Sequence, residues 1–212
     1  MKPSRYLIAA MLALSCSAWA GVEEDTLRIR QEWERIKYQM PAKDQETAFE
    51  KLARESAKIK TQYPAAAEPA IWHGIIEASY AGAKGGLGAL SLVKDARQAF
   101  EQAIAVDPKA LDGSAYTSLG SLYYQVPGWP IGFGDDKKAM EYLKKGLELN
   151  PNGIDPNFFL GDFLYRSGDY AGAEQALRKA LQAAPREGRA LADEGRRKEV
   201  NELLQKVLDK KR

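Results

Sequence analysis

The stretch that decides the fold is residues 154–187, which read IDPNFFLGDFLYRSGDYAGAEQALRKALQAAPRE. Apolar residues recur at helical spacing on both sides of Gly168-Asp169, a pair that favours a turn. The spacing of Leu160-Gly161, Ala173 and Pro185 matches a helix–turn–helix repeat of about 34 residues. Because such a unit cannot bury its apolar face alone, it predicts similar units stacked beside it.

Similar units precede this stretch. Prolines that follow helical apolar stripes divide the chain at four places, namely Pro64, Pro108, Pro151 and Pro185. Such prolines end helices because proline cannot continue one. We therefore expect three repeats within residues 65–187. In the first two, the spacing of Gly74 to Ala96 and of Gly120 to Ala139 exceeds that of Gly161 to Ala173, which predicts enlarged inter-helix loops at residues 82–91 and 126–134.

The flanking segments are typical of caps. Residues 21–64 contain two amphipathic helices and form either an N-terminal cap or a degenerate repeat. Residues 188–212 predict a C-terminal capping helix, which a solenoid needs to shield its open end. No useful strand alternation occurs. The sequence therefore predicts an all-α fold, a superhelical helix–turn–helix solenoid with capping helices.

The first twenty residues predict a signal peptide. Lys2 and Arg5 form a basic start, residues 6–15 are apolar, and residues 18–20 form an A-x-A cleavage site. We therefore expect an exported, periplasmic protein.

Cys16 provides an alternative. The tetrapeptide Ala13-Leu14-Ser15-Cys16 loosely resembles a lipobox. A lipoprotein anchored through Cys16 would be tethered to a membrane by acyl chains, and only then would we expect membrane association.

Charge and chemistry exclude several classes of function. The net charge is +2, and loss of Lys2 and Arg5 with the signal peptide cancels it. A chain without basic excess does not favour binding to nucleic acid or to anionic membranes. His73 is the sole histidine, and no cysteine follows Cys16. We therefore expect no enzyme, catalytic residue, metal site or cofactor, and we interpret His73 as a packed or rim residue.

The repeats resemble the tetratricopeptide repeat (TPR) family, on the strength of Leu160-Gly161, Ala173 and Pro185. The enlarged turns in an exported chain are loosely similar to the periplasmic TPR subunit associated with TRAP-type transporters. The resemblance implies a partner-binding groove on the inner faces of the first helices. Its positions in this chain are Ile71, Ile75, Thr117, Ser121, Tyr124, Phe158, Asp162, Tyr165 and Arg166.

One turn carries unusual apolar residues. Trp129, Ile131 and Phe133 lie in a segment that also holds prolines and glycines. Soluble surfaces rarely leave such a cluster exposed. The loop is therefore expected to be either a plug against the repeat edge or a lid over a groove.

Two functions follow as hypotheses. The first is a scaffold of the bacterial cell envelope that binds an envelope protein or peptide segment through its concave face. The alternative is a transporter-associated or small-ligand-binding periplasmic TPR protein, in which the Trp129 loop lies over an apolar cavity that holds a small apolar ligand.

Overall fold

A computed structural model describes the backbone of residues 4–212 and the side chains of residues 21–212. This part of the chain is all-α, as predicted, and contains no strand. The predicted signal peptide and Cys16 lie outside the residues whose side chains are described. The helices are α1 (Ser4–Gln39), α2 (Ala42–Gln62), α3 (Ala67–Lys84), α4 (Ala89–Val106), α5 (Ala110–Gln125), α6 (Asp136–Leu149), α7 (Ile154–Arg166), α8 (Tyr170–Leu181) and α9 (Ala190–Lys210).

Consecutive helices pack as antiparallel pairs. Three of these pairs share one contact, in which a glycine of the first helix faces a large side chain of the second. A Cβ atom added to the glycine would lie 2.5 Å from Phe100 at Gly74, 2.9 Å from Leu143 at Gly120 and 2.7 Å from Leu177 at Gly161. The recurrence of this contact shows that α3–α4, α5–α6 and α7–α8 are copies of one packing unit.

The two turns expected to be enlarged differ from each other. Residues 126–135 separate α5 from α6, whereas only residues 85–88 separate α3 from α4. Helix α3 continues through Gly82 and ends at Lys84, and the φ of 64° at the next residue, Gly85, suits a residue without a Cβ atom. The extra length of the first unit therefore lies mainly in longer helices rather than in an enlarged turn.

The apolar core runs along the whole array. It forms three clusters, whose largest members include Trp33, Phe49 and Trp72 in the first, Phe100, Leu119 and Leu143 in the second, and Leu177, Val200 and Val207 in the third. Among the described residues, no helix combines the length and the hydrophobicity needed to cross a membrane.

The odd-numbered helices form a closed inner layer. Helix α1 contacts α3, α3 contacts α5, α5 contacts α7, and α7 contacts α9. Helix α9 in turn contacts α1, where a Cβ atom at Gly195 would collide with the Tyr38 ring. The terminal helices therefore meet each other and convert the array into a ring, instead of shielding two separate ends.

Candidate functional site: a cavity inside the helical ring

The ring surrounds a cavity of about 1110 Å³. Five of the predicted groove residues line it, which are Ile75, Thr117, Ser121, Phe158 and Asp162. Helices α3, α5 and α7 supply much of the lining, and the rest comes from α1, α2, α9, Phe100 of α4 and the connections that precede α7 and α9. The inner faces of the first helices therefore come together around one space.

The other predicted groove residues lie outside the cavity lining. Ile71 is fully buried in the core, so its side chain cannot meet a ligand, and Tyr165 packs against Tyr170. The Tyr124 hydroxyl donates to Asp162 Oδ2 at 2.8 Å, and Arg166 Nε lies 3.1 Å from the same oxygen. Burial and the Asp162 carboxylate raise the pKa of Tyr124. Tyr124 and Arg166 thus orient a cavity residue instead of lining the cavity.

The loop with Trp129 does not cover the cavity. Trp129 is 90 % exposed and Ile131 is 59 % exposed, while Phe133 packs edge-on against Tyr123 with ring centroids 5.4 Å apart. Backbone bonds fold the loop on itself, since Gly134 N–H donates to the Pro127 carbonyl at 3.0 Å. None of its three large apolar residues lines the cavity. The loop is therefore not a lid over the cavity. Of its three large apolar residues, only Phe133 packs against the edge of the repeat.

A network of charged residues lies where α7, α9 and the α8–α9 connection meet. Arg186 Nη1 donates to Asp155 Oδ2 at 2.7 Å, and Arg186 Nε donates to Asp193 Oδ1 at 2.6 Å. Arg196 Nε donates to Asp155 Oδ1 at 2.8 Å and Arg196 Nη1 donates to Glu199 at 2.6 Å. Burial alone would raise the pKa of Asp155, but Arg196 and Arg186 outweigh it and lower the pKa to about 2. Asp155 is therefore ionised at neutral pH.

Helix α1 completes this side of the cavity. Arg189 Nε donates to Glu34 Oε1 at 2.8 Å, and both side chains are largely buried. Lys37 Nζ lies 3.3 Å from Glu199 Oε1, which ties α1 to α9 a second time. We call this region the charged side, defined by Arg30, Glu34, Lys37, Asp155, Arg186, Arg189, Asp193, Arg196 and Glu199.

The charged side was not among the predicted site residues. The resemblance supplied positions only on first helices, whereas Arg186 and Arg189 belong to a connection and Arg196 to the last helix. A local signal was present, since Asp193 lies between Arg189 and Arg196 at helical spacing. What the sequence could not indicate was that α1 would lie beside them.

His73 lies outside the cavity, in the core of the first unit. Its Nδ1 is 2.9 Å from the Ser56 hydroxyl, and burial lowers its pKa to about 4. The packed interpretation of His73 matches this position. Among the described residues, no group of three His, Cys, Asp or Glu side chains is arranged to hold a metal ion.

The family model described as tetratricopeptide repeat matches residues 131–192, which include α6, α7 and α8. No curated protein sequence matches the chain. TPR domains generally act as scaffolds for protein–protein interaction and are typically non-catalytic. The stacked antiparallel pairs described above fit this family. Residues 131–192 of the chain are therefore similar to a tetratricopeptide repeat.

Proposed function

We propose that the protein is an exported, non-catalytic binding protein that holds a small organic ligand, or the end of a partner chain, inside the ring. The contact between α1 and α9 is the observation that carries this proposal. An extended partner segment needs a groove that is open along its side. The ring offers a bounded cavity instead, and its volume is slightly larger than the range of about 300–1,000 Å³ that small-molecule pockets span.

The cavity wall supports an amphipathic ligand. Thr117, Ser118 and Ser121 of α5 are polar residues of the cavity lining, while Phe158 and Phe159 of α7 are aromatic residues of the lining. The charged side lies between α7 and α1. This mixture differs from the apolar cavity of the alternative hypothesis, and it favours a ligand that carries both an apolar part and a polar or charged group.

The envelope location is part of the proposal. The signal peptide expected at residues 1–20 supports a periplasmic protein, with a lipoprotein anchored at Cys16 as the alternative. A role beside a TRAP-type transporter is also part of the proposal, and it rests on the sequence resemblance alone. In such a role, the ring would bind a ligand and not the membrane partner, whereas the exposed Trp129 loop would remain free for protein contact.

A protein partner is the second candidate. The repeat match at residues 131–192 favours it, because TPR domains generally bind proteins. In this ring, such a partner would insert a chain end into the cavity. The mass of the bound species distinguishes a small ligand from a peptide.

The proposal is tested with a substitution that fills the cavity. Ser118 lines the cavity, so Ser118→Trp is expected to occupy the space that a ligand needs. Ser91→Trp is the matched control, because Ser91 is exposed on α4 and does not line the cavity. Each protein is incubated with a periplasmic extract of metabolites and peptides, desalted, and analysed by native mass spectrometry.

We expect the wild type and Ser91→Trp to retain the same bound species and Ser118→Trp to lose them. Circular dichroism checks that both variants keep their helices. Equal retention by Ser118→Trp, or no retained species on the wild type, would contradict binding within the ring.

A further inference from the structure

Arg30 stands out among the cationic residues of the cavity wall. Its Nε atom is buried and has no hydrogen-bond partner among the described residues. Arg186, Arg189 and Arg196 each form ion pairs at 2.6–2.8 Å, whereas Arg30 forms none within residues 21–212. Partial burial and the neighbouring Arg189 lower the pKa of Arg30. At the wall of a cavity, a guanidinium that has a buried nitrogen without a hydrogen-bond partner and forms no ion pair favours the binding of an anion.

The charges of the charged side do not balance. Glu34 attracts Arg30, but its Oε1 already accepts a hydrogen bond from Arg189. The remaining carboxylates pair with Arg186, Arg196 and Lys37. Within the described residues, the charged side therefore holds one positive charge more than it holds negative charges, and that surplus is located at Arg30.

The surplus identifies the charge of the anion. A guanidinium binds carboxylate and phosphate groups through two parallel hydrogen bonds. A single surplus charge matches a monoanion. A phosphate dianion would bring a second negative charge toward Asp155 and Glu199, which line the same cavity, and like charges repel. The site therefore favours a carboxylate over a phosphate.

Aromatic side chains lie close enough to hold the rest of such a ligand. Trp33 is one helical turn after Arg30 on α1, and both line the cavity. Phe158 lies under the Arg196 guanidinium, 4.4 Å from the ring centroid to Cζ. A ligand bound at Arg30 can thus place an apolar group against aromatic surface.

We propose that Arg30 binds the carboxylate of an organic monoanion whose apolar group lies against Trp33 and Phe158. This inference rests on the proposed function, because it assigns the ligand class of the same cavity. Two sources can present this chemistry, namely a free carboxylic acid and the C-terminal carboxylate of a peptide that ends in an apolar residue.

Isothermal titration calorimetry with two matched probe pairs tests the inference. The first pair is 4-phenylbutyrate and 4-phenylbutanamide, and the second is acetyl-Gly-Gly-Phe as the free acid and as the amide. At pH 7.5 and low ionic strength, we expect at least one acid to bind at least tenfold more tightly than its amide. The pair that shows this preference identifies the source of the carboxylate.

Two variants then locate the preference. Arg30→Gln is expected to weaken binding of the preferred acid at least tenfold and to leave the amide unchanged. Arg35→Gln removes one positive charge from an exposed position of the same helix, where Arg35 pairs with Glu32 at 2.7 Å, and is expected to change nothing. Binding of no probe, equal binding of acid and amide, or an acid preference that survives in Arg30→Gln would overturn the inference.

Ser118→Trp separates this inference from the proposed function. If acid and amide bind equally and Ser118→Trp blocks both, the cavity remains the binding site and the role of Arg30 is refuted. If the probes bind Ser118→Trp as well as they bind the wild type, they do not use the cavity, which contradicts both proposals.

Discussion

At the scale of single residues, His73 and Glu77 are the buried titratable pair that the cavity does not use. His73 Nε2 lies 3.9 Å from Glu77 Oε1, and both residues are less than 9 % exposed. Burial lowers the pKa of His73 to about 4, whereas burial and Asp95 raise the pKa of Glu77 to about 7. At neutral pH the His73 imidazole is therefore neutral, and Glu77 holds a proton more readily than an ordinary carboxyl group does.

Glu77→Gln tests the raised pKa of this carboxyl group. Because the pKa rises from its ordinary 4.5 to about 7 on folding, Glu77 favours the folded state below pH 4.5, and this contribution is lost as the pH rises through 7. We expect the variant to match the wild type at pH 5 and to be more stable by roughly 1–3 kcal/mol at pH 8. Urea unfolding at both pH values measures the difference.

His73 acts in the opposite direction. Its lowered pKa makes stability fall as the pH drops from 6.5 toward 4, but wild type and variant both contain His73, so its effect cancels in the comparison. Glu148→Gln, at an exposed position of α6, is the control and should show no pH-dependent difference. A Glu77→Gln difference that stays constant from pH 5 to pH 8 would refute the raised pKa.

At the scale of helices, the glycine contacts determine how closely each pair packs. At Gly120, an added Cβ would lie 3.0 Å from the Leu143 backbone nitrogen and 3.1 Å from the Ala139 carbonyl oxygen. At Gly161, the short contacts are with the Leu177 side chain, which can change rotamer. The α5–α6 pair is therefore the less tolerant of the two.

Gly120→Ala is expected to cost about 1–3 kcal/mol of unfolding free energy, because backbone must move to admit the methyl group. Gly161→Ala should cost less, since the Leu177 side chain can yield. Gly82→Ala is the control in α3, where nothing lies within 4 Å, and should stabilise the protein by about 0.5–1 kcal/mol through helix propensity. Chemical unfolding measures the unfolding free energy of the three variants. Equal stability of Gly82→Ala and Gly120→Ala would contradict this packing.

Local patterns account for what the sequence predicted at this scale. Helical periodicity and the prolines predicted the helix pairs, and the prolines and glycines of residues 126–134 predicted the loop after α5. Gly82 misled the prediction of the first turn, because a single glycine inside a helix costs only about 1 kcal/mol and tertiary packing outweighs it. Groove positions such as Ile75 and Phe158 could be predicted, because they follow from the register of the repeats. The proximity of Arg30 to Arg189 could not, because it depends on the contact between the first and last helices.

At the scale of the whole molecule, the Glu34–Arg189 pair joins the two ends of the array. Glu34→Ala leaves the largely buried Arg189 without its partner, so it is expected to cost about 3–5 kcal/mol, whereas Arg189→Ala leaves Glu34 beside Arg30 and is expected to cost less. The double variant should cost less than the sum of the two, because both charges are then gone. A double-mutant cycle by urea unfolding measures this coupling.

Arg178→Ala provides the control, because Arg178 pairs with Glu174 on the solvent-facing side of α8 and exposed pairs contribute about 0–1 kcal/mol. Spin labels at exposed positions 31 on α1 and 198 on α9 report the closure directly. We expect the distribution of distances between the two labels to broaden in Arg189→Ala. Additive energies together with an unchanged distance would show that the pair does not hold α1 against α9.

Closure by α1 and α9 also constrains how this protein can change in length. An open solenoid can gain or lose a whole repeat, because every remaining repeat keeps its neighbours. In this chain, one additional helix pair would move α9 away from Tyr38 and Glu34 and would leave two apolar ends without cover. Insertions are therefore tolerated in turns such as residues 126–135. The number of repeats, in contrast, is fixed because α1 and α9 must remain in contact to close the ring.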